Sequence, residues 1–388
     1  MKQAPRRAVR MPCGDKRGAT MEFKAAVLHE VGGPLAIEQV EAGPLKATDV
    51  LVRLKASGLC HTDLEAINGQ LVYPLPLVLG HEAAGIVEAV GDAVRLVKPG
   101  DHVVCSWNPN CGYCFYCDRD QPILCEPFTA HQPQGRLLDG ESRLRLNGAR
   151  LHHFMMVSGF AEYCVVLESG AIPIPDDIPL DRACLIGCGV MTGVGAVLRV
   201  AKASVGESAV VIGCGGVGLN AVQGARLARA DPVIAVDVSP EKLTTAKAFG
   251  ATHTIDARNQ DTAKAVRVLT RGRGADNVFE AAGNEASFRL AFEAARSGGR
   301  VVILGKTNVD REICFRWGAL MGEKRMVRSS YGGARPREDF PLLARLYRDG
   351  ELMLDELISE RISLDQINEG FAAMANGEII RAVIEFPD

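Results

Sequence analysis

Residues 58–66 read GLCHTDLEA and concentrate side chains that can do chemistry. The stretch holds a thiol, an imidazole, a hydroxyl and two carboxylates, groups that ligate metals or transfer protons but also occur on ordinary surfaces. Two later stretches, LGHEAAG at 79–85 and LIGCGVMTG at 185–193, add another histidine, glutamate and cysteine beside glycines. Each stretch alone is weak evidence for a site, because buried cysteines are most often inert and lone histidines are mostly structural.

Four cysteines are spaced as C-x2-C-x2-C-x7-C at Cys111, Cys114, Cys117 and Cys125. Short spacers allow one loop to fold several thiolates around a tetrahedral ion, so the spacing predicts a zinc lobe over 105–126. An iron–sulfur cluster is less favoured, because the bacterial ferredoxin pattern ends in a three-residue spacer and has a proline after its last cysteine. Since all four ligand positions are filled, we expect this zinc to be structural.

A glycine-rich turn, GCGGVG at 213–218, follows the apolar run AVVI and opens a helical pattern. Strand, turn and helix in this order are typical of a dinucleotide-binding unit, in which glycines let the backbone approach a pyrophosphate. Asp237 closes the next strand-like run, where a carboxylate hydrogen-bonds the adenosine ribose and repels a 2′-phosphate, so NAD is favoured over NADP. The residues of the turn predicted to bind the cofactor are Gly213, Gly215, Gly216, Val217 and Gly218.

The elements that must position these residues belong to a long chain of globular composition. With 388 residues, of which 47% are hydrophobic and 23% charged, the chain predicts two domains. A net charge of −3 argues against a nucleic-acid partner, and no apolar run reaches the length of a membrane span. The 12 cysteines follow no secretory apolar segment, which favours free or metal-bound thiols in a cytoplasmic protein over a disulfide framework.

The chain divides into segments with different hydrophobic patterns. Short β-like runs separated by Gly and Pro predict a β-rich, barrel-like domain over 21–189. Buried strand-like runs alternate with helical patterns over 190–330, which predicts a doubly wound α/β sheet. The last segment, 331–388, has one amphipathic helix and a closing β-like run, so we expect it to rejoin the first domain. Residues 1–20 are basic and lack apolar periodicity, and we interpret them as a disordered extension or the product of a start codon placed too early.

Together these motifs resemble the zinc-dependent alcohol dehydrogenases of the medium-chain dehydrogenase/reductase family. The resemblance rests on GHEAAGIVEAVG, the four-cysteine lobe, GCGVMTG and GCGGVG, and it extends from about Phe23 to the C-terminus. It implies a doubly wound Rossmann coenzyme domain beside a β-rich, GroES-like catalytic domain. It also implies two zinc ions per chain, the catalytic one held by Cys60, His81 and Cys188 with an open fourth position.

The resemblance further implies roles for the residues around the catalytic zinc. Glu82 would lie behind the ion, and Asp63 would fix the tautomer of His81 by accepting its other ring N–H. Thr62 would accept the proton of an alcohol whose pKa the zinc lowers and pass it on through the nicotinamide ribose, and hydride would go to the nicotinamide of NAD. The residues implied to contact NAD are His61 and Arg381, at its phosphates, and Lys242, at the adenosine ribose.

This chain departs from the family pattern at Glu65, where several members carry a histidine that ends the proton relay. Glutamate can also relay protons, but a solvated surface charge is the favoured interpretation. Lys306 stands where an apolar residue near the nicotinamide is common, and it either attracts an anionic substrate group or points to solvent. Four bulky residues match positions that line the alcohol pocket and predict an apolar, aromatic or medium-chain substrate, although core packing explains each equally well. They are Leu71, Trp107, Phe154 and Met155.

The leading hypothesis is reversible, NAD-dependent oxidation of an alcohol to an aldehyde or ketone. A thiol-dependent formaldehyde dehydrogenase, which oxidises S-hydroxymethyl adducts, is the alternative within the same family. A non-enzymatic NAD-binding protein that has lost its zinc is the alternative of a different class, and the intact ligand positions argue against it. The resemblance also implies a homodimer or homotetramer that takes small-molecule alcohols and aldehydes as its substrates.

Overall fold

The chain folds around three β-sheets, and the structure, a computed structural model, describes residues 20–308 and 310–387 of it. Apart from Thr20, the extension predicted over 1–20 lies outside the described residues. The first sheet consists of β1 (Met21–Leu28), β2 (Ala36–Ala42), β4 (Leu77–Val78), β7 (Leu144–Leu146), β8 (Ala149–Arg150) and β9 (His152–His153). Its strand order is β8-β7-β2-β1-β4-β9.

The second sheet positions the first two stretches of chemical interest. Its strands are β3 (Asp49–Gly58), β5 (Glu82–Val90), β6 (His102–Cys105), β10 (Tyr163–Leu167), β11 (Ala171–Pro173), β18 (Glu360–Ile362) and β19 (Ala382–Glu385). Their order is β11-β6-β5-β3-β19-β18, with β10 also paired to β3. Because β3 and β5 are antiparallel with Gly58 opposite Glu82, the segments that carry Cys60 and His81 lie at the same end of the sheet.

The third sheet is parallel throughout, as the alternating pattern predicts. Its strands are β12 (Ala209–Ile212), β13 (Val233–Asp237), β14 (His253–Asp256), β15 (Ala275–Glu280), β16 (Ala295–Ile303) and β17 (Arg325–Arg328). The order β14-β13-β12-β15-β16-β17 runs outward in both directions from β12, which makes the sheet doubly wound. Such a sheet binds its ligand at the carboxyl ends of the strands where the winding reverses, and the glycine-rich turn leaves β12 at that point.

Helices cover the sheets and begin several of the functional segments. The α-helices of the described residues are α1 (His61–Ile67), α2 (Glu126–His131), α3 (Leu180–Ala183), α4 (Gly189–Gly195), α5 (Gly216–Leu227), α6 (Pro240–Ala248), α7 (Thr262–Leu269), α8 (Glu285–Ala294), α9 (Pro336–Arg348) and α10 (Ile367–Ala375). Within this part of the chain no single helix is long and apolar enough to cross a membrane. One bent pair of helices, Leu180–Gly187 with Gly189–Ala201, has the length and composition of a membrane span, and these are the only properties that suggest one.

The closing segment returns to the second sheet. Strand β19 pairs antiparallel with β3, with Val383 opposite Gly58, so Arg381 lies beside the end of β3. The amphipathic helix and the closing strand expected here correspond to α9 and β19. The sequence pattern missed α10 and β18, because α10 contains an interior glycine and β18 is only three residues long.

Candidate active site

Four potential metal ligands from distant parts of the chain meet at the end of the second sheet. Cys60, His81, Glu82 and Cys188 each offer a ligand atom, and these atoms all lie within 4.8 Å of one another. Cys60 immediately precedes α1, Cys188 immediately precedes α4, and His81 and Glu82 stand at the start of β5. The three stretches, each weak evidence alone, therefore form one cluster, in which Cys60, His81 and Glu82 are buried and Cys188 is half-buried.

The carboxylate of Asp63 orients this cluster. Its Oδ1 lies 3.1 Å from His81 Nδ1 and accepts the Gly80 N–H at 3.0 Å, while its Oδ2 accepts the Cys60 N–H at 3.2 Å. Asp63 and His81 are completely buried. Since Nδ1 is engaged, Nε2 is the free ring nitrogen of His81, and it has no hydrogen-bond partner among the described residues. A buried imidazole nitrogen with no partner beside two thiols fits a metal ligand.

The electrostatics of the cluster also fit a bound cation. The hydrogen bond from Cys188 lowers the pKa of the Cys60 thiol well below its usual value, and the charges of Arg381 and His81 lower it further. Burial raises the pKa of Glu82 to about 7. Burial lowers the pKa of His81, but Asp63 and Cys60 outweigh burial and raise it to about 10. A divalent cation bound here would favour the thiolate of Cys60 and the carboxylate of Glu82 over their protonated forms.

Arg381 connects the cluster with the glycine-rich turn. Its Nη2 lies 3.5 Å from Glu82 Oε1 and donates to Cys60 Sγ at 3.8 Å. A Cβ atom added to Gly216, the first residue of α5, would lie 3.3 Å from the Arg381 guanidinium carbon. The guanidinium is therefore at the helix N-terminus where a dinucleotide phosphate binds, and its contact with NAD stays a prediction.

The glycine-rich turn has the backbone that a dinucleotide site requires. Gly213 has a φ of 93°, a left-handed conformation that side chains disfavour, and a Cβ atom on Gly215 would meet no atom within 4 Å. Asp237, at the end of β13, accepts the Cys214 N–H at 2.7 Å and the Ser239 N–H at 2.9 Å. The turn is thus held against the strand end while open space remains above it.

The four cysteines of the lobe form the second metal-ligand cluster. The sulfurs of Cys111, Cys114, Cys117 and Cys125 lie within 4.8 Å of one another. Backbone amides donate to two of these sulfurs, from Cys111 to Cys125 at 3.3 Å and from Glu126 to Cys114 at 3.5 Å. Four thiols in one loop, supported by N–H groups, fit a tetrahedral zinc site.

Aromatic residues pack around the active cluster. The Phe154 ring packs edge-on against His81 at a centroid distance of 5.7 Å, and Tyr73 lies 4.9 Å from Phe154. Trp107 stacks on Tyr331 at 4.1 Å, and the Tyr331 hydroxyl donates to the Gly187 carbonyl, next to Cys188. Nothing in the sequence points to Tyr73 and Tyr331, because only the packing of distant loops brings them to the site.

Of the other residues predicted to line the pocket, Met155 is buried next to Phe154, whereas Leu71 is partly exposed. The helix α1 carries three further predicted residues along the same cleft. His61 is exposed, Thr62 accepts a hydrogen bond from Lys306 at 3.0 Å, and Glu65 lies 3.5 Å from the same amine. Lys242 is exposed in the first turn of α6. The position of Lys306 in the sequence does not predict its contacts with Thr62 and Glu65.

Comparison with known proteins identifies the architecture. Residues 46–176 match the alcohol dehydrogenase GroES-like domain, and residues 216–349 match the zinc-binding dehydrogenase model. The S-(hydroxymethyl)glutathione dehydrogenase of Paracoccus denitrificans is 40% identical over 373 residues, which cover 94% of this chain and 100% of the relative.

Solved structures of alcohol dehydrogenases have the same fold as this chain. An alcohol dehydrogenase zinc-binding domain protein from Burkholderia ambifaria has a TM-score of 0.92 and 35% identity, and the benzyl alcohol dehydrogenase of Acinetobacter calcoaceticus has a TM-score of 0.90 and 30% identity. Each match covers 95% of this chain and 100% of the other. The predicted fold, oxidoreductase class, zinc and NAD are thereby confirmed. The chain belongs to the zinc-dependent alcohol dehydrogenases of the medium-chain dehydrogenase/reductase family.

Proposed function

We propose that this protein catalyses the reversible, NAD-dependent oxidation of an alcohol to an aldehyde or ketone at the cluster of Cys60, His81 and Cys188. The observation that carries the proposal is the unpartnered His81 Nε2, buried beside two thiols and held in place by Asp63. The Phe154 ring packs against His81, and Arg381 lies between the cluster and the dinucleotide turn. Few other reactions need a metal ligand set, an apolar pocket and a nucleotide site in one cleft.

The residues in and around the cluster have different roles in the proposed reaction. Cys60, His81 and Cys188 would hold a zinc ion, which when bound supplies a Lewis acid that makes an alcohol hydroxyl more acidic. Thr62 lies two residues after Cys60 and receives the hydroxyl proton of the substrate. Glu82, with Arg381 against it, provides a buried carboxylate behind the ligands.

The lobe and the nucleotide turn have supporting roles. Cys111, Cys114, Cys117 and Cys125 would hold a second zinc ion with no open position, so this zinc stabilises the fold. Asp237 is at the strand end where a ribose hydroxyl binds, and its negative charge favours NAD over NADP. We therefore expect two zinc ions per chain and faster turnover with NAD.

Two substrate classes have support. Phe154, Met155 and Leu71 are apolar, which favours an uncharged aromatic or medium-chain alcohol, and one similar structure is a benzyl alcohol dehydrogenase. The 40% identical relative is named for S-(hydroxymethyl)glutathione, a thiol adduct that carries carboxylates. The test follows NADH absorbance with benzyl, primary and secondary alcohols, and with formaldehyde in the presence and absence of glutathione. Turnover of formaldehyde only with glutathione would establish the adduct as substrate, and no turnover with any of these compounds would overturn the proposal.

The same family membership supports a homo-oligomer. Strand β17 is the edge of the third sheet, and its apolar residues Met326 and Val327 are 54% and 42% exposed. Trp317 and Met321, just before the strand, are also exposed. A strand edge with apolar side chains is suited to pairing with a second copy of the chain. Light scattering after size-exclusion chromatography measures the mass, and a monomer at micromolar concentration would refute this assignment.

A further inference from the structure

Three side chains form a line from the reaction centre to the surface. The Lys306 amine donates to Thr62 Oγ1 at 3.0 Å and lies 3.5 Å from Glu65 Oε2. Thr62 and Glu65 belong to α1, in the part of the chain that carries the metal ligands, whereas Lys306 follows β16 of the parallel sheet. The line therefore crosses the cleft in which the substrate and the nicotinamide meet.

Lys306 is the most exposed of these side chains. Thr62, two residues after the buried Cys60, is half-buried, and the side chains of Glu65 and Lys306 are 26% and 41% exposed. A proton that reaches Lys306 or Glu65 can thus pass to water, and Lys306 offers Thr62 a carrier toward solvent. Hydroxyl, amine and carboxylate are all groups that transfer protons when they lie within hydrogen-bond reach.

We propose that Lys306 carries protons between Thr62 and solvent, with Glu65 as its partner, in place of a histidine relay. This inference rests on the proposed alcohol oxidation. In that direction the ammonium of Lys306 first releases a proton to Glu65 or to water. The substrate hydroxyl then gives its proton to Thr62 Oγ1 while Thr62 gives its own proton to the amine, which restores the ammonium. Carbonyl reduction uses the same steps in reverse, beginning with the hydrogen bond from Lys306 to Thr62 that the structure contains.

Other charged groups surround this path and contribute to its pH dependence. His61 lies on the same helix as Glu65; burial lowers its pKa, Cys60 and Glu65 raise it, and Arg381 and Lys242 lower it. These groups lie on α1, on α6 and before β19, so the cleft brings both signs of charge near the relay. The test must therefore separate a proton carrier from a general electrostatic influence.

Recognition of a substrate carboxylate is the competing role for Lys306. Glu65 is already paired with the amine, so an incoming carboxylate would have to displace it. The hydrogen bond to Thr62 also directs the amine toward the reacting oxygen. Both contacts favour the relay, and an uncharged substrate distinguishes the two roles because it has no carboxylate to bind.

The experiment measures NADH formation in a single turnover, with the uncharged alcohol that the screen shows to be oxidised fastest. Single-turnover conditions prevent slow product release from masking the rate of proton transfer. Lys306→Ala removes the carrier, and Lys306→Arg keeps the charge and donors but does not release a proton near neutral pH. We expect both variants to lose on the order of a hundredfold or more in rate with little change in KM. Adding methylamine should restore Lys306→Ala in proportion to its free base. Lys98→Met, which removes a surface lysine paired with Asp101, is the control and should match the wild type.

The outcomes separate the two proposals. An active wild type with Lys306→Arg unimpaired, or with Lys306→Ala slow but insensitive to amines, would overturn the relay and leave the proposed function standing. A rise in KM for carboxylate-bearing alcohols alone would overturn it in favour of anion recognition. A wild type that oxidises no alcohol would overturn the proposed function and the relay with it. Unfolding curves and NADH fluorescence titrations, which should be unchanged, verify that each variant folds and binds cofactor.

Discussion

The two clusters of metal ligands in this chain are built in opposite ways. The lobe takes all four cysteines from residues 111–125, and two of them, Cys111 and Cys117, are only half-buried. The active cluster takes its ligands from between residues 60 and 188, and its histidine is fully buried. A closed site can thus be made by one loop, whereas an open site needs several elements of the fold to hold its ligands.

The neighbours of the two clusters differ as well. Backbone N–H groups support the sulfurs of the lobe. Charged side chains support the active cluster, with Asp63 against His81 and Arg381 against Cys60 and Glu82. Backbone amides fix geometry without adding net charge, whereas a buried carboxylate and guanidinium set the charge and orientation of a ligand that must remain reactive. The difference predicts that the two sites respond differently to mutation.

Cys60→Ser should have the largest effect on activity. It removes one of three ligands of the open site, and losing several kcal/mol of transition-state stabilisation corresponds to a rate on the order of a thousandfold lower. Metal analysis should find one zinc per chain in place of two, with circular dichroism unchanged. Cys314→Ser, an exposed cysteine in neither cluster, is the matched control. Wild-type turnover by Cys60→Ser would sink the assignment of the catalytic zinc.

Cys114→Ser should instead act on stability. Loss of a structural metal ligand is among the few changes that destabilise a protein by about 4 kcal/mol. We expect a lower melting temperature and loss of the lobe zinc, while the fraction still folded at low temperature keeps near-normal turnover per folded molecule. Activity that disappears without any change in melting temperature would show that the lobe takes part in catalysis, and the contrast between the clusters would fail.

Asp63→Asn should have a smaller and more selective effect. Asparagine keeps the shape of the side chain but removes the charge that orients His81, and such changes lower metal affinity about 10- to 100-fold. Competition with a chelator measures both sites, and only the active cluster should weaken. Asp118→Asn, an exposed carboxylate in the lobe, is the mirror-image control and should leave both affinities unchanged. Equal weakening of the two sites by Asp63→Asn would contradict its local role.

The same contrast explains what the sequence could predict. The spacing of the lobe cysteines fixes their distances within one loop, and the strand-turn-helix order around Gly213 predicts the nucleotide turn, so both could be read locally. The meeting of His81 with Cys60 depends on the register of β3 and β5, which residue spacing does not contain, and only the family resemblance predicted it. No local pattern brings Lys306 to Thr62, because their contact depends on how two separate sheets pack together.

The buried acid and histidine of the active cluster make stability depend on pH once zinc is removed. Burial raises the pKa of Glu82 from 4.5 to about 7, so between these values the folded chain holds a proton that the unfolded chain has released. Stability must therefore fall as pH rises through this window, by up to ~3 kcal/mol for this single group. His81 acts in the same direction at higher pH: with its pKa raised to about 10, its contribution is complete below 6.5 and is lost as pH rises through 10.

Cys114 of the lobe, like Cys60 of the active cluster, should show the reverse sign, whereas the raised pKa values of Cys117 and Cys125 act in the same direction as that of Glu82. Desolvation raises the pKa of Cys114, but backbone N–H groups of Glu126 and Cys117 outweigh it and lower the pKa to about 6, so between about 6 and 9 this thiol binds fewer protons in the folded chain and adds stability as pH rises. Urea unfolding of the chelator-treated protein from pH 5 to 9 measures the net effect. Glu82→Gln should flatten the fall below pH 7 and leave the part due to His81. If the variant and the wild type give the same pH profile of stability, Glu82 is already ionised in the folded protein. Burial then does not raise the pKa of this carboxyl, and the expected pH dependence of the active cluster is wrong.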